Sequence, residues 1–423
     1  MTTVRSAEIL AVGTELLTPF RLDTNSLYLT RQLNDLGIDV RSKSVVPDDP
    51  DELAHRLKVA LDRVDLVITT GGLGPTADDI TRDVVARVLG LSLAEDAALL
   101  EHIRARFERR GMTMPETNRR QAMVPAGARL LDNARGTAPG LWIADGTRVI
   151  VLLPGPPREM QPMFETLVRP ELEKLSQGRK VFRRVIRIAL RAESQVEEIA
   201  HPIYSRLAHG SVPIETTILG APGWIELHLS ARGDQESVIS PALDAGVSEL
   251  AAALGSSVVS IDGRSLEEVV GGILLSRGWR IATAESCTGG LVAGRLTDVS
   301  GSSGWFVGGV VAYANEIKLE SLDVPAALID EHGAVSEPVG RAMAEGVRQR
   351  LRADVGVAVT GIAGPTGGSP QKPVGTVVVA VATPHRTTVR TFNLGGDRPT
   401  IRQHSVVAAL ELVRRALLAD APA

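Results

Sequence analysis

Two short segments carry residue types at the spacing of a reaction centre. The first, TTGGLGPTADDIT (69–81), follows the buried-type strand DLVITT (65–70) and opens a helix expected to start near Asp79. Its glycines permit close approach to the backbone, and the free amides of a helix start favour an anion, so a phosphate site is expected. Gly72, Gly74 and Ala77 also satisfy a GxGxxA dinucleotide pattern, which is common and weak alone. Asp78 and Asp79 argue against that pattern, because adjacent carboxylates at the helix start repel a pyrophosphate unless a divalent cation intervenes. The loop therefore points to metal-assisted phosphate chemistry. The bland alternative is that Asp78 or Asp79 only caps the helix.

The second segment, AESCTGG (284–290), places Ser286 and Cys287 on a tight turn between a strand and a helix. Either side chain could be a nucleophile, with amides near Thr288 and Gly289 facing an oxyanion. Glu285 and Cys287 flank the serine, so it is not a GxSxG elbow, and a histidine triad would need a distant residue such as His332. YANEIK (313–318) offers another activator: Tyr313 and Lys318, one of six lysines in the chain, lie just beyond the strand WFVGGVVAYA. A desolvated lysine can lower its pKa enough to accept the serine proton, with tyrosine relaying it. VTGIAGP (359–365) ends a further strand in a glycine-rich loop, and GDRPTIRQH (396–404) brings Arg398 and Arg402 to the start of the last helix, where they suit a monophosphate. A surface lysine, a half-buried tyrosine and solvated arginines are the competing reading.

The elements that must hold these residues fall into three segments. From Glu8 to about 168, short apolar runs alternate with helical stretches: EILAV, a helix capped by Asn25 or Ser26 and ended by Gly37, and a helix with Leu53, Leu57 and Leu61 on one face. A hairpin is expected around Asp145-Gly146, between LWIA and TRVIVLL. Residues of about 170–260 read as a small α+β module: RRVIRIAL, a helix, the paired strands VPIETTIL and GWIELHLSA, and a helix at 235–254. That order is compatible with RNA-binding folds, but no GxxG loop joins its helices and no aromatic stacking signature accompanies it, so it reads as a connector. From Leu266, strand–turn–helix recurs, with helices near 325–332 and 336–352 and a final helix presenting Val406, Leu410, Val413 and Leu417. The terminal Ala-Pro-Ala is expected to fray.

Composition bounds the partners. At 423 residues, 44% hydrophobic and 23% charged, the chain is expected to be modular, able to bury real cores, and not disordered or disulfide-stapled. Its net charge of -4 supplies no global positive field for nucleic acid or anionic lipid. The single Cys287 and the lack of HExxH or Cys/His spacing fit a reducing cytoplasm without structural zinc. No secretory signal and no run of about 18 apolar residues is evident, so neither export nor a membrane partner is expected.

Together with VVPDD (45–49), GTELL (13–17), DTNS (23–26), GTAPG (136–140) and LPGPPREM (153–160), the first segment resembles the molybdopterin-binding fold and, within it, the CinA branch, across the whole first domain. That resemblance implies a divalent-metal-dependent pyrophosphatase acting on ADP-ribose or related NAD-derived diphosphates. It places the family's acidic positions at Asp48, Asp78 and Asp79, with Glu15 and Glu159 as further metal candidates for Mg²⁺, Mn²⁺ or Co²⁺, and Gly71, Gly72 and Gly74 in the substrate loop. In one departure, Thr18-Pro19-Phe20 stands where the family has a glycine, and Pro19 removes an amide donor from that loop.

AESCTGG, YANEIK, HGAVSEP (332–338), TGIAGP and GDRPTIR resemble the PncC nicotinamide-nucleotide amidase family across about 265–418. The resemblance implies hydrolysis of nicotinamide mononucleotide to nicotinate mononucleotide and ammonia without a cofactor. Ser286 would be the nucleophile, Tyr313 and Lys318 its activating pair, Thr360 and Gly361 part of the substrate loop, and Arg402 the phosphate-side arginine. The position after the serine varies in that family, which favours Ser286 over Cys287.

The expected architecture is thus α/β: a molybdopterin-binding-like domain (1–169) and a PncC-like domain (261–423), joined by an α+β connector (170–260). The expected protein is a full-length CinA family member, a cytoplasmic homodimer acting on small nucleotides of pyridine-nucleotide salvage without direct nucleic acid. Two readings compete: a non-catalytic adaptor in competence or DNA damage, and a molybdopterin nucleotidyltransferase-like activity of the first domain. An amidase paired with a degenerate first site, because of Pro19, is a third.

Overall fold

The structure is a computed structural model that describes residues 3–420, so the terminal Ala-Pro-Ala lies outside the described residues. The N-terminal unit alternates β1 (Ser6–Val12), α1 (Thr24–Asp35), β2 (Asp39–Val46), α2 (Pro50–Leu61), β3 (Leu66–Thr70) and α3 (Thr81–Leu89). A short antiparallel pair, β4 (Leu93–Glu95) and β5 (Met123–Pro125), brackets α4 (Ala97–Glu108). β6 (Arg129–Leu131), β7 (Gly140–Asp145) and β8 (Arg148–Leu153) return to the main sheet, and α5 (Pro157–Met163) and α6 (Arg169–Leu175) follow. The sheet runs β2-β1-β3-β8-β7-β6, with its first four strands parallel.

Continuous apolar runs make those strands because both faces are covered. On β3, Val67 joins the cluster containing Leu53, Leu57 and Leu61 of α2, while Leu66 and Ile68 join Leu29 and Leu33 of α1 on the opposite face. Leu172 of α6 is fully buried in that second cluster, so the N-terminal core extends past residue 169. The hairpin forms as expected, pairing Asp145 with Arg148 across Gly146 at φ 59°. The α1 cap differs: Asp23 accepts from the Ser26 amide at 2.9 Å, so Asn25 and Ser26 are already inside the helix. Gly37, at φ 71°, closes it as expected.

The connector holds β9 (Lys180–Ala189), α7 (Glu193–Ala208), β10 (Glu215–Ala221), β11 (Trp224–Gly233), α8 (Glu236–Leu254) and β12 (Val258–Ser260), with strand order β10-β11-β9-β12. The segment Glu236–Ser257 is long and apolar enough to cross a membrane by length and composition alone. Its stripe of Leu243, Val247, Leu250 and Leu254 is buried, and Asp244 pairs with Arg184 of β9, which is the behaviour of a packing helix. By contacts, residues up to Phe182 with Arg232–Ile239 form one compact unit, and Arg183–Ala231 with the chain from Ser240 onward form the other.

The C-terminal fold comprises α9 (Leu266–Arg277), β13 (Ile281–Glu285), α10 (Leu291–Thr297), β14 (Phe306–Val311), α11 (Asn315–Leu322), α12 (Ala326–His332), α13 (Glu337–Arg350), β15 (Val355–Gly361), β16 (Thr376–Ala382), β17 (Thr387–Asn393) and α14 (Arg398–Ala419). Its sheet runs β14-β13-β15-β16-β17, and β13 is parallel to both neighbours. Val355, Val357, Val359, Val377 and Val379 pack under α9 and α14, while Ala282, Ala284, Ala358 and Ala380 face α13. Small residues let α13 approach closely: a side chain at Gly340 would meet Val378 at 2.8 Å. α11, which carries Lys318, was not among the expected helices.

Candidate functional site

Both sheets reverse their strand order beside a central parallel strand, and in open α/β sheets ligands bind outside the carboxyl ends at such a point. In the N-terminal unit this is β1, between β2 and β3. The segments leaving β1, β2, β3 and β8 enclose a cleft of about 650 Å³, lined by all five predicted carboxylates, Glu15, Asp48, Asp78, Asp79 and Glu159, and by Gly71, Gly72 and Gly74.

Local hydrogen bonds explain the loop geometry. The Thr14 amide donates to the Asp48 carboxylate at 2.8 Å, and the Asp48 amide donates to the Thr14 hydroxyl at 3.1 Å, which fixes the turn Thr14–Leu17 bearing Glu15. A Cβ on Gly71 would lie 2.2 Å from the Val12 carbonyl, so only glycine allows this approach of β3 to β1. Asp79 does not cap α3, which starts at Thr81. Its carboxylate accepts from the Gly74 and Thr76 amides at 2.7 and 2.8 Å and from the Thr76 hydroxyl, holding the glycine loop in shape. Arg82 and Arg120, which the sequence reading missed, brace the same loop by donating to the Leu73 and Thr76 carbonyls at 3.1 and 2.8 Å. Arg82, in ITRD, stands close to Asp78 and Asp79 in sequence, whereas nothing near Arg120, in NRRQ, marked it. Asn25, 8% exposed, donates to the Gly155 carbonyl at 2.7 Å, while its side-chain oxygen is buried without a partner.

The acidic set shares one cleft without forming a metal cage: among the described residues no three His, Cys, Asp or Glu side chains converge on a common point. The reason is local, since Asp48, Asp79 and Glu159 each accept hydrogen bonds from the protein, Glu159 from Asn133 at 2.9 Å. Oxygen donors dispersed around a cleft suit a hard cation that takes one or two carboxylates and completes its shell with substrate phosphate and water.

In the C-terminal fold the reversal is at β13. Register pairs Glu285 with Val311 on β14 and with Val359 on β15, so Ser286–Cys287, Ala312–Tyr313 and Thr360–Gly361 leave neighbouring strand ends together. Ser286 is 9% exposed, and its amide donates to the Val359 carbonyl at 2.9 Å. Glu285 is buried and accepts from the Gly290, Val292 and Ala293 amides at 2.8–3.0 Å, closing the start of α10. The Gly289 amide donates to the Ser286 carbonyl at 3.1 Å, so it is not free for an oxyanion as expected. The Cys287 and Thr288 amides, which lie toward the Cys287 sulfur, are the remaining local donors. Glu285→Ala would strand three amides and is expected to cost about 3 kcal/mol, with Glu285→Gln milder. Urea unfolding of the full chain checks this, and wild-type stability in Glu285→Ala would refute the capping role.

Burial pushes the Cys287 thiol up to about 11, so at neutral pH it stays protonated and is a poor nucleophile. Lys318 is 1% exposed, and its ammonium donates to the Ala312, Tyr313 and Ala314 carbonyls at 2.9, 3.2 and 3.5 Å. Burial pulls its pKa below the ordinary value, and a thiolate at Cys287 would be near enough to hold its proton more tightly. The Tyr313 side chain is on the surface, its hydroxyl accepting from Arg398 at 3.1 Å. Lys318 thus meets the Tyr313 backbone and not its hydroxyl. Arg402 donates to the Cys287 and Thr288 carbonyls at 3.1 and 2.7 Å, bracing the turn that carries Ser286, and Arg398 also donates to the Gly364 carbonyl at 2.8 Å. The Thr360 hydroxyl donates to the Ala334 carbonyl at 2.9 Å, and a Cβ on Gly361 would come within 3.1 Å of the Cys287 sulfur. His332 reaches Glu331, and its carbonyl takes the Lys372 ammonium, so no bond brings it to Ser286.

Comparison with known proteins matches residues 8–174 to a probable molybdopterin binding domain and residues 263–417 to the CinA C-terminal domain. A CinA-like protein of Koribacter versatilis is 45% identical over 416 residues, covering 97% of this chain and 100% of its own. A putative competence-damage inducible protein of Symbiobacterium thermophilum is 47% identical over 424 residues, covering 97% and 99%. Among solved structures, competence/damage inducible protein CihA of Agrobacterium tumefaciens is 41% identical, covering 36% of this chain and 93% of its own at a TM-score of 0.35.

Proposed function

The chain belongs to the CinA family, and from that premise we propose a bifunctional cytoplasmic hydrolase of pyridine-nucleotide salvage. The C-terminal site would convert nicotinamide mononucleotide to nicotinate mononucleotide and ammonia, and the N-terminal cleft would hydrolyse ADP-ribose-type diphosphates with a divalent metal. The observation that carries this reading is the placement of both candidate sets at the carboxyl ends of parallel strands, where the strand order reverses.

At the amidase site, Ser286 Oγ attacks the carboxamide carbon and forms a tetrahedral oxyanion facing the Cys287 and Thr288 amides. Lys318, in its neutral form, accepts the serine proton and returns it to the departing ammonia. Water then hydrolyses the acyl-enzyme. Arg402 positions the turn through its carbonyl contacts, and a guanidinium there would also offer charge to the substrate phosphate.

In the N-terminal cleft, Glu15, Asp48, Asp78, Asp79 and Glu159 supply the oxygens that would hold the ion. When bound, a divalent cation would neutralise diphosphate charge and activate water. The Asp79-braced loop would present its amides to the phosphate oxygens.

One assay separates the two sites. With chelator present, the full chain is expected to release ammonia from nicotinamide mononucleotide at an undiminished rate, while ADP-ribose hydrolysis falls at least about 100-fold and returns with Mg²⁺ or Mn²⁺. Absence of ammonia would overturn the amidase reading and favour a non-catalytic adaptor. Chelator-resistant ADP-ribose hydrolysis would overturn the metal assignment.

A further inference from the structure

The loop at 18–22, which contains Pro19, stays at the cleft. The Thr18 hydroxyl donates to the Glu15 carbonyl at 2.7 Å at one end, and Asp23 caps α1 at the other. Between these anchors, Arg21 and Leu22 line the cleft. Six carboxylates line it as well, namely Glu15, Asp23, Asp48, Asp78, Asp79 and Glu159, and Arg21 is the one cationic side chain among its described lining residues. Arg21 makes no hydrogen bond or ion pair with another described residue. Leu22 is 86% exposed, an apolar side chain held open at the rim of an acidic cleft.

An anionic diphosphate entering six carboxylates is repelled by all of them. A divalent ion offsets part of that charge, and a guanidinium, which matches phosphate oxygens two at a time, offsets more. Pro19 removes one backbone donor from this loop, and the Arg21 guanidinium is the one cationic group it brings to the cleft. An exposed leucine beside that guanidinium gains from covering an apolar surface, which a nucleoside offers and inorganic pyrophosphate does not.

We infer that Arg21 and Leu22 are the specificity wall of the N-terminal cleft, Arg21 taking phosphoryl oxygens and Leu22 packing on the nucleoside, so that the cleft selects a nucleoside diphosphate over inorganic pyrophosphate. This rests on the diphosphate reading above and extends it to residues that the family resemblance does not assign.

The test uses the full chain with Mn²⁺ present, measuring calorimetric Kd for ADP-ribose and for inorganic pyrophosphate, together with KM and kcat for ADP-ribose. Arg21→Gln is expected to raise both Kd values and the KM about tenfold while leaving kcat within about twofold, and Arg21→Lys to recover part of the loss. Leu22→Ser is expected to raise the ADP-ribose Kd about fivefold and leave pyrophosphate unchanged. Unaltered Kd values in Arg21→Gln, or equal losses for both ligands in Leu22→Ser, would overturn the inference. A wild-type chain that binds ADP-ribose without hydrolysing it would refute the hydrolase reading, and the Kd comparison would still decide the role of the wall. A wild-type chain that binds neither ligand would overturn both.

Discussion

Ser286→Ala is expected to lower ammonia release from nicotinamide mononucleotide by at least about 10³-fold, with the chain still folded. The hydroxyl makes no hydrogen bond to another described residue, and the backbone bonds that shape its turn, Ser286 amide to Val359 and Gly289 amide to Ser286, do not involve the side chain. Removing one oxygen therefore removes the proposed nucleophile without removing a structural contact. Cys287→Ala is the necessary contrast. Its thiol, pushed up to about 11 by burial, is almost wholly protonated at neutral pH, so its loss is expected to leave turnover within about tenfold. Ammonia detection on both variants, with circular dichroism as a fold control, decides between the adjacent side chains. Turnover kept by Ser286→Ala and lost by Cys287→Ala would reverse the assignment.

Sequence patterning was enough to expect strand–loop–helix at both sites, because buried parallel strands are written as unbroken apolar runs such as LVITT and IATAE. The residue types were equally legible: DD after a glycine loop, and a serine on a turn. What a linear pattern could not carry was the assignment of hydrogen bonds. Asp79 reads in sequence as a helix cap or a metal ligand; it does not cap α3, and its carboxylate accepts from the amides and the Thr76 hydroxyl of its own loop. Arg402 reads in sequence as a phosphate-side arginine; that it also braces a turn more than a hundred residues away through two carbonyls was not legible there. Tyr313 and Lys318, close in sequence, diverge because α11 starts between them at Asn315, leaving the tyrosine on the surface while the lysine turns inward. Each depends on which strand ends the sheet order places side by side, and that order is a property of long-range pairing.

As the proposed base, Lys318 would set the pH dependence of the proposed amidase. Burial disfavours its ammonium and pulls its pKa below the ordinary 10.5. Protonated, it is held by three backbone carbonyls and cannot accept the serine proton; neutral, it can. The amidase kcat should therefore rise with pH through the depressed pKa and level off before 10.5 is reached. The sign for stability is the same. Between the folded and unfolded pKa values the unfolded chain binds the extra proton, so stability from this residue is present above the unfolded value and is lost as pH falls through the folded one. Lys318→Met is expected to reduce kcat about 10²- to 10⁴-fold with little change in KM and to flatten the pH limb. Methionine also leaves three carbonyls without a donor, so a loss in that variant alone would not separate chemistry from structure. Lys318→Arg does separate them: a guanidinium can still donate to the carbonyls but does not deprotonate, so it should keep the fold and lose turnover. Turnover retained in Lys318→Arg, or a pH limb unchanged in Lys318→Met, would show that the proton leaves Ser286 by another route and that Lys318 only ties down the end of β14.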